Sequence, residues 1–225
     1  TLKNVEYFIF EQHATNDYNF TLHNNTFSGA TATVQASGFG SGNVLTLNAS
    51  AETATAITIN SGAGDDTITG GGGNDTIIGG AGDDTITGGG GADTLIGGIN
   101  GDDYGSGNNI FEYMSLADSN YASGSSAWDT ITGFDGTDKI DLAELTFTGA
   151  PVNFAGIFDK GDSLNFSELT SSGFFNDGGA GYSIAVGSDG TNAMIFVDLN
   201  GNRDLDNDLA IIISGHANAD AIMQT

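Results

Sequence analysis

The sequence predicts an all-β fold, a parallel β-roll of the β-solenoid class followed by a β-rich carboxy-terminal cap. A nine-residue unit, G-G-x-G-x-D-x-U-x with U a large apolar residue, repeats four times from residue 61, and a fifth unit begins at Gly97. Short segments rich in β-branched and aromatic residues precede the repeat. The chain has 36 glycines and a single proline, which suits many tight turns. A fixed short period is typical of stacked coils rather than of an ordinary globular core.

Residues 1–60 are predicted to form an irregular β-solenoid that leads into the roll. Strand-like segments lie at 5–10, 18–22, 32–34, 44–47 and 57–59, separated by Asn, Gly and Ser. They lack the nonapeptide turn, so we expect them to cover the first coil of the roll. An independent β-sandwich is the alternative interpretation.

Residues 61–109 are predicted to form the roll itself. Each unit joins a glycine-rich turn, where glycine reaches positive φ at low cost, to a three-residue strand. Two units make one coil of about eighteen residues, so successive turns alternate between two edges. Turns that begin at Ser61, Gly79 and Gly97 stack on the first edge, and those that begin at Gly70 and Gly88 stack on the second. The apolar eighth residue of each unit is predicted to point inward: Ile68, Ile77, Ile86 and Leu95.

An aspartate holds the sixth place of every turn: Asp66, Asp75, Asp84, Asp93 and Asp102. Stacking at about 4.8 Å brings the carboxylates of one edge close enough to repel each other. A hard cation between adjacent turns removes that repulsion. Calcium takes six to eight oxygen ligands from carboxylates and carbonyls, which are the donors that these turns offer. The chain has no cysteine and the repeat has no histidine, so zinc and copper are disfavoured.

The nonapeptide resembles the calcium-binding β-roll repeat of the RTX (repeats-in-toxin) family. The resemblance implies one ion between two adjacent turns of an edge. The first turn supplies the carbonyls of its second and fourth residues and its Asp, and the next turn supplies the carbonyls of its first and third residues and its Asp. Carried onto this chain, the first site is Gly62, Gly64, Asp66, Gly79, Ala81 and Asp84; the second is Gly71, Gly73, Asp75, Gly88, Gly90 and Asp93; and the third is Gly80, Gly82, Asp84, Gly97, Ile99 and Asp102.

The end of the repeat departs from the family pattern. Asn100 stands where the family has glycine, and the register slips by two residues beyond it. Residues 104–109 resemble a degenerate last turn, which would close a fourth site against Gly89, Gly91 and Asp93. A metal-free, flexible Gly-Asp linker is the alternative for the whole repeat, and the regular Ile or Leu in every eighth place argues against it.

Residues 110–225 are predicted to be a capping and secretion-signal region. The stretch 129–142, DTITGFDGTDKIDL, resembles the cap that follows the repeats in serralysin-type proteases, lipases and surface proteins. Its aspartates, Asp129, Asp135, Asp138 and Asp141, are predicted to turn a hairpin, with one further ion as the alternative. Asp198, Asn200 and Asn202 have calcium-loop spacing, but Arg203 replaces the EF-hand glycine, so a polar turn and a looser calcium site both stay open. In relatives the uncleaved tail directs type I secretion, a role that 209–214 and 217–225 would fit.

Composition excludes several classes of partner. The net charge is −25, from 29 acidic and 4 basic residues, which excludes a binder of nucleic-acid backbones and disfavours an anionic membrane surface. No apolar run reaches eighteen residues. No signal peptide is recognised, and Thr1 opens directly into strand-like sequence, so we expect the chain to be part of a longer protein.

Catalytic motifs are missing from the sequence. It contains no H-E-x-x-H and no G-x-S-x-G, and its glycine turns precede Asp, which would repel phosphate. Acidic pairs of the kind that glycosidases use are numerous, but nearly every acidic cluster has a turn or metal explanation. We therefore expect no enzyme activity and no catalytic residues.

These observations predict a calcium-binding structural module of a secreted bacterial cell-surface protein, such as an S-layer protein or an adhesin. It would fold on calcium after type I secretion, with the secretion machinery and other copies of itself in a lattice as partners. A non-catalytic tail of a secreted protease or lipase is one alternative. A glycan- or ice-binding module is another alternative. The pairs Thr67/Thr69 and Thr85/Thr87 are similar to the threonine arrays of ice-binding solenoids, but the sequence contains only two such pairs.

Overall fold

The computed structural model describes residues 7–10, 17–23, 31–98, 107–122, 125–135, 137–142, 145, 152–159, 182–188, 191–198 and 208–215. This part of the chain is all-β, with one short 3-10 helix, Leu116–Ser119, and no α-helix. No helix within these ranges has the length and apolar character needed to cross a membrane. The strands stack as parallel coils, which confirms the predicted β-roll.

The strands form two sheets. In spatial order, the first contains β1 (Tyr7–Ile9), β3 (Thr31–Gln35), β5 (Ala56–Asn60), β7 (Thr76–Ile78), β9 (Thr94–Ile96), β13 (Asp129–Thr132), β18 (Asp208–Ile213), β17 (Ala193–Asp198), β16 (Tyr182–Ser188) and β15 (Val152–Asp159), with β11 (Asn120–Ala122) and β12 (Ser125–Ser126) beside it. The second contains β14 (Lys139–Asp141), β10 (Ile110–Glu112), β8 (Thr85–Thr87), β6 (Thr67–Thr69), β4 (Leu45–Asn48) and β2 (Tyr18–Thr21).

The core lies between the two sheets and is built from columns of apolar side chains. Successive strands of one sheet pair in parallel and in register, so that equivalent residues of each coil stack. The column of the first sheet is Val34, Ile59, Ile77, Leu95 and Ile131. The column of the second sheet is Leu47, Ile68, Ile86, Phe111 and Ile140. The four predicted inward residues, Ile68, Ile77, Ile86 and Leu95, are at most 1% exposed, as their eighth-place spacing requires.

The strands of residues 7–60 continue the same coil. β3 pairs with β5 and β5 pairs with β7, while β4 pairs with β6, all in parallel. Parallel pairing that runs directly into the repeats is the solenoid arrangement, and a sandwich would pair these strands antiparallel. Aromatic rings fill the first coils, where Tyr18 stacks on Phe39 with centroids 4.7 Å apart.

The hairpin predicted for residues 129–142 is wrong. β13 lies in the first sheet and pairs in parallel with β9, whereas β14 lies in the second sheet and pairs in parallel with β10. The two strands are therefore successive half-coils of the roll. The aspartates between them sit in a turn at the roll's edge rather than at the tip of a hairpin.

The carboxy-terminal strands extend the first sheet. β18 pairs in parallel with β13, and β17 and β16 follow it in antiparallel order. The inward residues of β17 and β18, Val197, Leu209, Ile211 and Ile213, are at most 1% exposed. The candidate calcium-loop residues Asn200 and Asn202, with Arg203, lie outside the described residues, as does the tail 217–225.

Candidate metal centre

Glycines in the second and fourth places of the turns leave room for backbone carbonyls. Gly80 and Gly82 have φ of 104° and 122°, a region that favours glycine. A Cβ on Gly80 would overlap the carbonyl oxygen of Gly62, and one on Gly82 would overlap that of Gly64. The carbonyls of Gly62 and Gly64 therefore face the next turn of the same edge. On the second edge, the carbonyls of Gly71 and Gly73 stand in the same relation to Gly89 and Gly91.

Carbonyls in the first and third places face the opposite way. The oxygen of Gly79 accepts a hydrogen bond from the Ser61 hydroxyl, and the oxygen of Ala81 accepts one from the Gly64 N–H at 2.7 Å. Gly88 on the second edge likewise directs its carbonyl oxygen at Gly70. Each gap between two turns is thus lined by carbonyl oxygens from both sides. Several of them accept a hydrogen bond from a turn amide, but a carbonyl oxygen has two lone pairs, so one remains for an ion.

Carboxylates form a ladder along the first edge. Oδ1 of Asp66 accepts a hydrogen bond from the Leu45 N–H at 2.7 Å, and Oδ1 of Asp84 accepts one from the Asp66 N–H at 2.9 Å. The ladder continues through Asn109, whose Oδ1 accepts from the Asp84 N–H at 3.1 Å, and then Asp138, whose Oδ1 accepts from the Asn109 N–H at 2.8 Å.

A second ladder runs along the other edge. Oδ1 of Asp75 accepts from the Ile57 N–H at 2.7 Å, and Oδ1 of Asp93 accepts from the Asp75 N–H at 2.7 Å. Asp129 follows, with its Oδ1 2.9 Å from the Asp93 nitrogen. In both ladders one side-chain oxygen, from a carboxylate or from the Asn109 amide, joins each coil to the preceding one.

The other carboxylate oxygen is the atom available to a metal. Oδ2 of Asp66, Asp84, Asp93 and Asp129 is buried and has no hydrogen-bond partner. Asp75 differs, because its Oδ2 accepts from the Gly71 N–H at 2.7 Å. Buried acceptors without a partner are rare and costly, so a row of them calls for a cation.

Burial and mutual repulsion disfavour charge on these side chains when no cation is present. Burial raises the pKa of Asp66 and Asp75 to about 6. Burial raises the pKa of Asp84 and of Asp93 to about 8, and the neighbouring charge of Asp66 or Asp75 contributes in the same direction. A divalent cation between the coils would reverse this penalty by compensating the charge.

The oxygen donors of the turns suit calcium, because they combine side-chain carboxylates with backbone carbonyls and do not form a site of side chains alone. Across the described ranges, no three His, Cys, Asp or Glu side chains converge as they would around an ion bound by side chains alone. An ion between two turns has two carboxylates and must complete its shell with backbone carbonyls. Calcium accepts such a mixed oxygen shell with flexible geometry.

The structure brings together the residues predicted for the first and second sites. The turn that begins at Gly79 stacks on the turn that begins at Ser61, and the turn that begins at Gly88 stacks on the one that begins at Gly70. In the third site Gly97 lies as predicted, since its carbonyl oxygen accepts from the Gly80 N–H at 2.7 Å. Ile99 and Asp102 lie outside the described residues, and the ladder place predicted for Asp102 is held by Asn109.

The degenerate turn near residue 107 is on the other edge from the one predicted. A Cβ on Gly107 would overlap the carbonyl oxygen of Gly82, so this turn stacks on the first edge and does not close a site against Gly89, Gly91 and Asp93. The reason is an insertion: the chain needs 25 residues from Asp84 to Asn109 instead of 18 from Asp66 to Asp84.

Two ladder residues were assigned to a turn by the sequence alone. Asp129 and Asp138 were predicted to turn a hairpin, yet they extend the two carboxylate ladders. A signal was present, because Gly133, Asp138 and Ile140 have the first, sixth and eighth places of a repeat unit. The change of register after residue 98 hides that unit from a search for one fixed period.

Comparison with known proteins agrees with this geometry. A family model described as RTX calcium-binding nonapeptide repeat (4 copies) matches residues 58–86, 69–104 and 116–144. The last match covers Asp129 and Asp138. A search of curated protein sequences returns no match to the chain.

Proposed function

This chain carries the RTX calcium-binding nonapeptide repeats, and from that premise we propose that it is a calcium-folded structural module of a secreted bacterial cell-surface protein, such as an S-layer protein or an adhesin. The repeats bind Ca²⁺. The proposal adds where the ions lie, what they do to the fold and what kind of parent protein carries the module.

One observation carries the proposal: Oδ2 of Asp66 and Oδ2 of Asp84 are both buried and unpartnered, in successive turns of one edge. The carbonyls of Gly62 and Gly64 face the same gap from one side, and those of Gly79 and Ala81 face it from the other. These six oxygens satisfy the ligand number that calcium requires. The predicted second site has the same stacking of turns and an unpartnered Oδ2 on Asp93, whereas Oδ2 of Asp75 accepts from the Gly71 N–H at 2.7 Å.

Calcium binding and folding are then one process. Without the ion, buried aspartates repel each other and the net charge of −25 favours an expanded chain. An expanded chain in a calcium-poor cytosol suits export by type I secretion machinery. Outside the cell, calcium at about 10⁻³ M fills sites of the affinity usual for extracellular modules, and the binding free energy becomes folding free energy.

The choice of parent protein rests on composition. Only 4 residues are basic, and Thr, Asn, Gly and Ala are abundant, which favours a surface-layer or adhesin parent. A non-catalytic tail of a secreted protease or lipase has the same repeat geometry. We propose no catalytic residues in this chain, because its acidic side chains serve the ladders and the turns.

Sedimentation velocity on the full chain tests the proposal. We expect an expanded, slowly sedimenting chain in chelator, and a faster-sedimenting monomer in millimolar calcium but not in millimolar magnesium. If calcium makes the chain assemble beyond the monomer, the S-layer parent is favoured. If the calcium-loaded chain stays a compact monomer at every protein concentration tested, an adhesin or an enzyme tail is favoured. Equal sedimentation in chelator and in calcium would contradict calcium-coupled folding.

One observation favours a second candidate, the glycan- or ice-binding module. Threonines stand in register on five neighbouring strands of the first sheet and form one outward column: Thr33, Thr58, Thr76, Thr94 and Thr130. This column lies in the first sheet, whereas the threonine pairs noted in the sequence, Thr67/Thr69 and Thr85/Thr87, lie in β6 and β8 of the second sheet. An ice-shaping assay and a glycan array on the calcium-loaded chain test it, with Thr76→Val as the variant expected to lose any binding.

A further inference from the structure

Alternate nonapeptide units differ at two places that fill neither the core nor the proposed calcium sites. The units that begin at Ser61 and Gly79 have aspartate in the fifth place and threonine in the ninth: Asp65 and Thr69, and Asp83 and Thr87. The units that begin at Gly70 and Gly88 have an uncharged residue in the fifth place and isoleucine in the ninth: Asn74 and Ile78, and Ala92 and Ile96. Because two units make one coil, this alternation gives the roll two different sides.

The side without charge lies along the first sheet and the second edge. In β7 and β9 the first and third residues pair in register, and they lie on the face opposite the buried middle residue. The Asn74 side-chain oxygen accepts from the Ala92 N–H at 3.1 Å, so the fifth-place residues stack as well. This surface, the uncharged side, consists of Asn74, Ala92 and the outward residues of β1, β3, β5, β7, β9 and β13. None of these residues is charged, although the chain has 29 acidic residues.

Exposed apolar side chains are gathered on the uncharged side. The described residues include three exposed large apolar side chains, and two of them, Tyr7 and Ile9, lie on β1 at 66% and 69% exposure. Both point outward, since the residue between them, Phe8, packs on the core. Ile78 and Ile96 are partly exposed further along the same side. Apolar side chains that share one uncharged surface of a soluble protein favour an interaction site there.

We propose that the uncharged side is the surface through which two copies of this chain associate face to face. The proposal rests on the function proposed above and deepens it, since it names the contact by which a surface-layer parent assembles. The charges favour a second copy as the partner. With a net charge of −25, two molecules repel each other wherever acidic surfaces meet, and the uncharged side is where they approach without that penalty. A basic partner would instead bind the first edge, where Asp65 and Asp83 are exposed.

The aspartates nearest to the uncharged side are directed away from it. Asp75 and Asp93 follow the fifth-place residues of the second edge, and both are 1% exposed. Calcium between them compensates their charge inside the roll. Folding on calcium therefore presents a flat surface that carries no charge, and association is expected only in the calcium-loaded state.

The size of the uncharged side predicts weak association. Six strands at about 4.8 Å and five residues at about 3.4 Å give a surface of roughly 30 by 17 Å, so that two copies together bury on the order of 1,000 Å². Specific, stable interfaces bury about 1,200–2,000 Å². Pairs are therefore expected at high protein concentration, or in a lattice, where several contacts act together.

Sedimentation equilibrium of the full chain in millimolar calcium tests the proposal. The mass of the unaltered chain is expected to rise from one copy toward two as the protein concentration increases. Ile78→Glu places a charge within the uncharged side and is expected to raise the dissociation constant of the pair at least about tenfold. Thr69→Glu is the matched control, because it adds the same charge in the ninth place of the preceding unit, on the second sheet. It is expected to leave the dissociation constant unchanged.

Asn74→Asp decides the matter if circular dichroism in calcium shows that Ile78→Glu does not fold. The roll already accepts aspartate in the fifth place, since Oδ1 of Asp65 accepts from the Asp83 N–H at 3.0 Å as the Asn74 oxygen does from the Ala92 N–H. This variant is expected to keep the fold and to weaken the pair several-fold.

Each possible failure has its own result. If the unaltered chain does not fold with calcium, the proposed function fails as a whole and this surface fails with it. If the chain folds but stays a single copy at every concentration, or if the folded variants pair as tightly as the unaltered chain, only the proposed surface is wrong. If the folded single copy shapes ice or binds a glycan and Ile78→Glu loses that activity, the uncharged side serves the second candidate function, and self-association is overturned.

Discussion

Asp66 and Asp84 occupy the same place in successive coils and face each other across one gap. The Asp66 N–H donates to Oδ1 of Asp84 at 2.9 Å, and the Oδ2 atom of each residue is buried without a partner. Burial, with the charge of Asp66 adding to it, raises the pKa of Asp84 to about 8. The arrangement is unfavourable for two bare carboxylates and favourable for two carboxylates that share a calcium ion.

Asp84 is predicted to be the most sensitive ladder residue. It stands between Asp66 and Asn109 and so belongs to two of the proposed sites, whereas Asp75 belongs to one proposed site and has an Oδ2 already bonded to the Gly71 N–H. Asp84→Asn is expected to raise the calcium midpoint for folding about tenfold more than Asp75→Asn does, equivalent to about 1.4 kcal/mol. Calcium titration followed by circular dichroism measures both midpoints.

Asp83→Asn is the matched control for that comparison. Asp83 is exposed, and its carboxylate accepts hydrogen bonds only at the turn surface, from the Asn108 N–H at 2.8 Å. Its loss is expected to leave the midpoint nearly unchanged. Equal midpoints for Asp84→Asn and Asp75→Asn would show that the assignment of turns to edges is wrong.

The metal-free chain is predicted to gain stability in acid. The folded-state pKa values of Asp84 and Asp93 are raised from 3.8 to about 8, so the folded state binds protons more tightly than the unfolded state. Its stability is greatest below about pH 4 and is lost as the pH rises through about 8. In chelator we therefore expect a larger β signal by far-ultraviolet circular dichroism at about pH 5 than at about pH 8.5, where the metal-free chain is expected to be largely unfolded.

Calcium is predicted to reverse this dependence, because the ion competes with protons for the same oxygens. Thermal melts in saturating calcium should show a Tm that does not fall between these two pH values. The double variant Asp84→Asn, Asp93→Asn should lose most of the acid response in chelator. If that variant kept the full pH dependence in chelator, the dependence would come from the overall charge of the chain and not from Asp84 and Asp93.

Gly82 is predicted to tolerate no side chain. Its φ is 122°, and a Cβ would overlap the carbonyl oxygen of Gly64, a proposed calcium ligand. Gly82→Ala is expected to destabilise the calcium-loaded fold by about 2 kcal/mol or more. Gly38→Ala is the matched control, since nothing lies within 4 Å of its Cβ position, and it should change stability by less than about 1 kcal/mol. Thermal unfolding in calcium measures both, and equal losses would contradict the packing of carbonyls against glycines.

Asn109 is predicted to be a weakened member of the first ladder. Its side-chain oxygen takes the hydrogen bond from the Asp84 N–H that an aspartate takes elsewhere, but it has no charge to offer an ion. Asn109→Asp is expected to raise calcium affinity at the third site several-fold, which isothermal titration calorimetry measures. Asn108→Asp adds the same charge at an exposed neighbour, and an identical gain there would assign the effect to long-range electrostatics.

The nine-residue period of the sequence predicts the parts of the fold that repeat with it, namely the inward apolar residues and the aspartates at the edges. Ile77 and Leu95 are the middle residues of three-residue strands, so their side chains point to the opposite face from those of the residues on either side. Burial of these apolar side chains makes that face the inward one. The alternation of edges follows from two units per coil, and Asp66 and Asp84 are therefore neighbours although 18 residues separate them.

The period fails where the chain inserts residues at an edge without disturbing the strands. Asp129 follows Asp93 by 36 residues, yet its strand keeps the parallel register, since a solenoid accommodates insertions in its turns. The aspartate pattern does not predict Asn109 as a ladder residue, because its acceptor is an amide oxygen and not a carboxylate oxygen. The antiparallel order of β16, β17 and β18 depends on pairing between distant strands that no local repeat encodes.

The central claim is that calcium between the turns folds the roll, and a calcium titration of the full chain by far-ultraviolet circular dichroism tests it most directly, with magnesium as the control. The account predicts little β signal in chelator, a cooperative gain with calcium, its reversal by chelator and no gain with magnesium. A full β signal already present in chelator at neutral pH would contradict it, because the lead-in coils and the carboxy-terminal sheet would then hold the structure without the ions.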